Sequence, residues 1–380
     1  MRLFEDDPAY MDIPEEEFAF IQPISLKDER FKTKPIGFFK DALIRLRKNK
    51  ASIAAFWVII VIVLLSVFAP FFNEYGYNQQ NENRLHMPPR VQGLEKIGIL
   101  DGRRLLTNRR AEHLGNAERY PEGSVLSVEN PRLIQGVEMV DVWVDYYQFI
   151  GAEDEYYWFG TDYLGRDLFT RLFRGARVSL LIAVLSVITN LFIGVVVGSV
   201  LGYYGGKADM IVMRLIEILD SIPHIVIVTM FILFFGTGMH CIVLSLVVQG
   251  WIHTTLLVRS QFYRFKGREY VLAARTLGVR DFSLIFRHIL PNSVSPVITA
   301  TMIAIPGAIF AESFLAYIGL GLQPPEPSIG VLLSQGQKTL LHLPFQTFYP
   351  ALLISVLMIS FNMLSYGLRD AFDPTGRGTD

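Results

Sequence analysis

The stretch ASIAAFWVIIVIVLLSVFAPFF, residues 51–72, carries no charged side chain. More than about 20 apolar residues in one run suffice to cross roughly 30 Å of hydrocarbon. Lipid offers no partner for backbone polar groups, so such a run reads as a helix that spans the membrane. About fifty residues precede it, too many for a cleavable signal peptide. Five further apolar segments follow. The run 178–204 is dotted with small residues that let helices approach closely in lipid. The run 222–236 is too short alone and takes in part of MIVMRLIEILD, with Pro223 as a kink. The others are 241–258, about 294–320, and 348–368. This predicts an all-α membrane protein with six spanning helices and both termini on one side. A hydrophobic share of 51% over 380 residues agrees, since soluble domains are rarely so apolar. A net charge of −1 gives no bulk attraction for nucleic acid, so none is expected as a partner. The single cysteine, Cys241, lies in an apolar run and reads as a small packed hydrophobe.

Lys and Arg concentrate on the cytoplasmic ends of spans. Lys40, Arg45, Arg47, Lys48 and Lys50 precede the first span, and seven basic residues from Arg259 to Arg287 fill the loop between the fourth and fifth. GTGMH, between the third and fourth, has none. The termini and the 259–291 loop are therefore expected inside. Arg171, Arg174 and Arg177 break this rule, standing just before the second span on the outside. The resulting division is an acidic cytoplasmic tail over 1–36, an amphipathic segment and first span over 37–72, an extracellular insert over 73–160, and a core over 161–376. Residues 1–34 lack a periodic apolar face and read as mostly flexible. The insert mixes strand-like GSVLSV and VEMVDVWVDYYQFI with the turn signals DG, PEG and LGN, so a small, partly β subdomain is expected between the first two spans. Either it docks a partner or it forms a lid that stabilises the bundle.

The polar, cationic stretch EYVLAARTLGVRDFSLIFRHILPN, residues 269–292, sits between two spans. Tyr270, Ala273, Ala274 and Leu277 recur at helical spacing on one face, and the two alanines leave room for another surface. Gly278 stands where a helix end wants a residue that tolerates positive φ. Asp281 is placed to cap a second helix over Phe282 to Ile289, which Pro291 is expected to stop or bend. The pattern predicts a helix, a glycine turn and a second short helix, and its plain alternative is an amphipathic linker on the membrane surface.

These residues resemble the EAA loop of the inner-membrane permeases of ATP-binding-cassette importers: E-A-A, three residues, G, nine residues, I-x-L-P. Ala273, Ala274, Gly278, Leu290 and Pro291 match at the right spacing. Leu272 replaces the glutamate and His288 the isoleucine, and Glu269 supplies a carboxylate one turn earlier. FGTDYLGRDLFTRLFRGARVSLLIA (159–183) and ESFLAYIGLGLQPPEPSIGVLL (312–333) are similar to the C-type permease subunits of the oligopeptide, dipeptide and nickel branch. The resemblance covers most of 38–376.

The resemblance implies a type I importer permease that forms half of a pathway with a second, homologous permease. It further implies two ATPase subunits gripping the loop 265–291, with Glu269, Tyr270, Ala273, Ala274, Leu277, Gly278, Leu290 and Pro291 as the coupling residues. An extracellular binding protein or lipoprotein would deliver peptides or, alternatively, nickel chelates or another small solute. The chain itself would be embedded in membrane lipid and would use no cofactor, metal or catalytic residue. No G-x-x-x-x-G-K-[ST], H-E-x-x-H or G-x-S-x-G occurs in it. The rival class, an ion-coupled transporter, needs ionisable groups at mid-membrane. The candidates Glu217, Asp220, His253 and Glu312 read instead as packed, hydrogen-bonded polar residues.

Overall fold

The structure, a computed structural model, describes residues 37–372. The acidic tail 1–36 and the end of the 161–376 core lie outside the described residues. The chain divides into two units, Met1–Asp41 and Ala42–Asp380. Of the first, the described part is the opening of α1 (Phe38–Lys48); all that follows concerns the second.

The first apolar run folds as α2 (Lys50–Phe68), capped by Asn49, whose side chain accepts from the Ser52 amide at 3.2 Å. The insert holds β1 (Arg103–Arg110), β2 (Val125–Ile134) and β3 (Val137–Asp145), an antiparallel sheet in the order β1-β3-β2. One face is its core: Leu106, Val140, Val142 and Val144 packed with Tyr120. The strand expected to continue through DYYQFI ends at Asp145, whose carboxylate instead caps a single turn, α3 (Tyr146–Phe149).

The second span is α4 (Leu168–Tyr204), 37 residues long. At 1.5 Å per residue it measures about 55 Å, well beyond the roughly 30 Å of hydrocarbon. Its first turns carry the three arginines that broke the charge rule, and their neighbours account for two of them. Arg171 is buried beside Asp162 at 3.4 Å and donates to the Tyr77 carbonyl at 3.1 Å. Arg174 pairs with Glu326 at 3.1 Å. Two of the three are thus ions of a folded layer, and only Arg177 is exposed.

The third span departs from expectation. It is not one helix kinked at Pro223 but two, α5 (Gly206–Asp220) and α6 (His224–Phe235), meeting at 81°. Pro223 has no amide to continue the ladder, and a break in lipid must find other partners for the freed carbonyls. Gln249 supplies them, its Nε2 donating to the Leu219 and Ile222 carbonyls at 2.8 and 2.7 Å.

Then come α7 (Met239–Phe265), α8 (Glu269–Thr276), α9 (Asp281–Ser283), α10 (Leu290–Tyr317), α11 (Ile329–Gln337) and α12 (Phe345–Phe372). Among the described residues five helices are long and apolar enough to cross a membrane, or six spans with the bent pair taken as one. Close packing of α4 on α7 follows from Gly194, Gly198 and Gly202. A Cβ at Gly198 would stand 2.6 Å from the Thr255 carbonyl, and one at Gly202 2.5 Å from Phe262 Cβ. Of the ionisable candidates, Glu217 pairs with Arg214, and Asp220 and His253 are exposed. Glu312 is fully buried and accepts from the Ser179 hydroxyl at 2.8 Å, which itself accepts from the Ile329 amide at the start of α11. It holds three helices together as a packed polar residue.

Candidate functional site

The loop between α7 and α10 is built from its first turn upward. Glu269 opens α8, exposed. The helix ends at Leu277 because Gly278 takes φ +77°, a left-handed conformation that side chains resist. The Val279 amide then bonds back to the Ala274 carbonyl at 3.2 Å and the Gly278 amide to Arg275 at 3.0 Å, a Schellman closure that satisfies the last carbonyls. The expected glycine turn is therefore present.

The second helix differs from expectation in two ways. Asp281 is not its cap; it lies in the first turn of α9, whose N-cap, Arg280, makes no side-chain cap bond. Its carboxylate is engaged elsewhere, accepting from the Tyr203 hydroxyl at 2.6 Å. Nor does Pro291 stop or bend the helix. Residues Leu284–Ile289 form a π turn and the chain runs on into α10 with Pro291 in its first turn, giving one apolar helix over Asp281–Tyr317. A proline is tolerated where its amide has no helical acceptor to satisfy, and the wider π turn moves the hydrogen-bond register to that point. The second arm is thus the opening of the fifth span.

The hairpin has two faces. Val271, Leu284, Ile285 and Ile289 are buried against Tyr203, Val258 and Phe262 of α4 and α7, with Ala274 and Leu290 partly buried at the margin. The opposite face carries Tyr270, Leu272, Ala273, Leu277 and Phe282, all exposed, with Leu277 84% and Phe282 73% accessible. Pro291 is exposed at the far end. Arg275 Nη2 donates to the Tyr203 hydroxyl at 3.0 Å, and this bond holds the guanidinium above its ordinary pKa. Lys266 Nζ donates to the Gly202 carbonyl at 3.0 Å. One layer further in, Arg259 clasps Asp209 of α5 through two bonds of 2.6 and 2.7 Å. Tyr203, Asp281 and Arg275 had no signal in the sequence beyond their chemistry, since 78 residues separate Tyr203 from Asp281.

Above the hairpin, an apolar cavity of about 510 Å³ opens between Phe192 and Val195 of α4 and Leu290, Val294 and Ile298 of α10. Among the described residues no three His, Cys, Asp or Glu side chains gather in one cluster.

A bundle of apolar helices with one polar hairpin between two of its spans has the form of a multi-pass membrane permease. Comparison with known proteins makes this specific: the chain belongs to the family of binding-protein-dependent transport system inner membrane components, whose model matches residues 194–377. The N-terminal TM domain of oligopeptide transport permease C matches residues 37–89. The chain is similar to the oligopeptide transport system permease protein OppC of Bacillus subtilis, 33% identical across 91% of this chain and 92% of that one. It is 32% identical to the dipeptide transport system permease protein DppC of the same organism, across 95% and 93%. A looser likeness, at TM-score 0.45 and 18% identity, runs over 53% of this chain and 96% of a chain of the inward-facing MetNI methionine ABC transporter. The protein is a multi-pass inner-membrane permease component of such a transport system.

Proposed function

We propose that this permease carries peptides inward and that the loop 265–291 is the contact by which two cytoplasmic ATPase subunits drive it. The observation that carries the reading is the exposure of Leu277 and Phe282 at the tip of a cationic loop. Apolar side chains bared on a polar element mark a surface made for a partner. The ATPases close and open, the hairpin moves as a rigid piece, and the helices fixed to it follow. Those helices are α4 and α7 through the buried face, and α10 through continuity of the chain.

The apolar cavity between α4 and α10 supports a second, homologous permease covering that side. The insert 73–160 faces outside, where a binding protein delivers cargo, and both termini and the loop face inside. Peptide cargo is supported by relatives named for oligopeptide and dipeptide transport. The chain hydrolyses no ATP itself.

The test is reconstitution. Liposomes holding this chain, its companion permease, both ATPases and the binding protein take up peptide only with ATP. Uptake by this chain alone down an ion gradient overturns the reading.

A further inference from the structure

Asp167 caps α4. Its Oδ2 accepts from the Thr170 amide at 2.7 Å and from Asn73 Nδ2 at 2.9 Å. The residue is 1% exposed, yet Oδ1 has no hydrogen-bond partner. The guanidiniums next to it in sequence do not serve it, because Arg166 and Arg171 are paired with Asp162. Asp167 lines a cavity of about 190 Å³ together with Tyr75, Gln79, Asn81, Glu155 and Tyr157. The tyrosine rings stack at 4.4 Å. Burial first, then Glu155 and more weakly Asp167, holds the Tyr75 hydroxyl above its ordinary value. The walls are thus rich in oxygen. A buried carboxylate oxygen without a partner is costly.

We infer that this cavity binds a small hard cation, held by Asp167 Oδ1 and by side-chain oxygens from among Gln79, Asn81, Glu155, Tyr75 and Tyr157, which line it. All these donors are oxygen, the set that suits a calcium-type ion and not zinc or copper. Glu155 is shared with Arg84, which it meets in two bonds of 2.8 Å, so Asp167 brings the uncommitted charge. With so few carboxylates the affinity belongs with weak extracellular sites, on the order of 10⁻⁴ to 10⁻³ M. The ion would join three pieces of chain: the exit of the first span at Asn73, the segment 75–81 of the insert, and the start of α4.

The probe is terbium, whose emission tyrosines sensitise at short range. The full-length chain, purified with its co-expressed partners and stripped with EGTA, is titrated with Tb³⁺ under tyrosine excitation. Expected is a saturable emission that millimolar CaCl₂ displaces. Asp167→Asn keeps a good capping side chain and should weaken the competed signal by roughly tenfold or more, since loss of supporting groups alone costs roughly 10- to 100-fold. Asp154→Asn, at an exposed position, should leave it unchanged. CaCl₂ should also raise the thermal midpoint of the wild type and not that of Asp167→Asn. Displacement by NaCl as effective as by CaCl₂ at equal concentration assigns the site to a monovalent ion and upholds it. Equal Tb³⁺ titrations and equal calcium shifts in wild type and Asp167→Asn, or no competable signal in either, mean the cavity holds only water and overturn the inference.

Discussion

The Tyr203 hydroxyl donates to Asp281 Oδ1 at 2.6 Å, tying the last turn of α4 to the first turn of the hairpin's second arm. Chain continuity already joins the hairpin to α7 and α10; this bond adds α4, which shares no loop with it. A hydrogen bond to a charged group contributes about 1.5–3 kcal/mol. Tyr203→Phe removes it, together with the bond from Arg275, while keeping the ring buried among Val258, Phe262 and Leu284. The variant should reach the membrane at normal levels and assemble, yet hydrolyse more ATP per peptide carried. Uptake and hydrolysis measured in the same proteoliposomes check this, and an unchanged ratio would show that the bond transmits nothing.

Gly278 and Ala274 are the next test. At Gly278 a Cβ would meet open space, so Gly278→Val acts through φ +77° alone and costs on the order of 1–3 kcal/mol of backbone strain. Ala274 is half-buried beside Val271 and Val279, so Ala274→Phe overfills a packed contact at a cost of about 1–3 kcal/mol. Both should cut uptake and leave membrane insertion intact, while Arg280→Ala, at an exposed position, should do less. Wild-type uptake in both would reduce the hairpin to a linker.

Orientation is read from single cysteines placed at Asn116 and Arg280 in a Cys241→Ser background, both positions being exposed. An impermeant maleimide on intact cells should label position 116 and not 280. The reverse pattern would invert the six-span arrangement.

The joint between insert and bundle should be sensitive to pH. Burial first, then the Arg104 guanidinium, holds His86 below its ordinary value of 6.5. Gln346 Nε2 meets His86 Nδ1 at 2.9 Å and the Thr161 carbonyl at 2.8 Å, so it donates to the ring only while Nδ1 is unprotonated. As pH falls below about 6.5, the unfolded chain takes up a proton before the folded one does. Stability present above that pH is then lost as pH drops further. The thermal unfolding midpoint should therefore fall from about pH 7 to about pH 5, and His86→Gln should flatten part of that slope. Parallel slopes would exclude His86 as the group responsible.

Much of this architecture is local in origin and so could be read from the sequence. Uncharged runs of spanning length fix the apolar helices, and the positive φ at Gly278 follows from its place after a helical repeat. What could not be read is long-range. Pro223 marks the break in the third span, but the 81° angle depends on Gln249 reaching two freed carbonyls from another helix. Asp281 has the chemistry of a cap, yet Tyr203 competes for its carboxylate. Pro291 reads as a stop because the π turn that accommodates it leaves no composition signal. Arg171 and Arg174 look like misplaced topology charges until Asp162 and Glu326 are seen beside them.

The proposed grip of an ATPase on the bare apolar face of the hairpin is tested at its two most exposed apolar side chains. Leu277→Asp and Phe282→Asp alter side chains that are 84% and 73% exposed, so neither should disturb folding or pairing of the permeases. A loss of about 1.4 kcal/mol weakens an association roughly tenfold, and a charge set into an apolar contact should cost at least that. The measurement is peptide uptake together with substrate-stimulated ATP hydrolysis in membranes holding all partners. The account predicts that both fall together in each variant, with the ATPases no longer co-purifying. Wild-type uptake and hydrolysis in the two variants would contradict it.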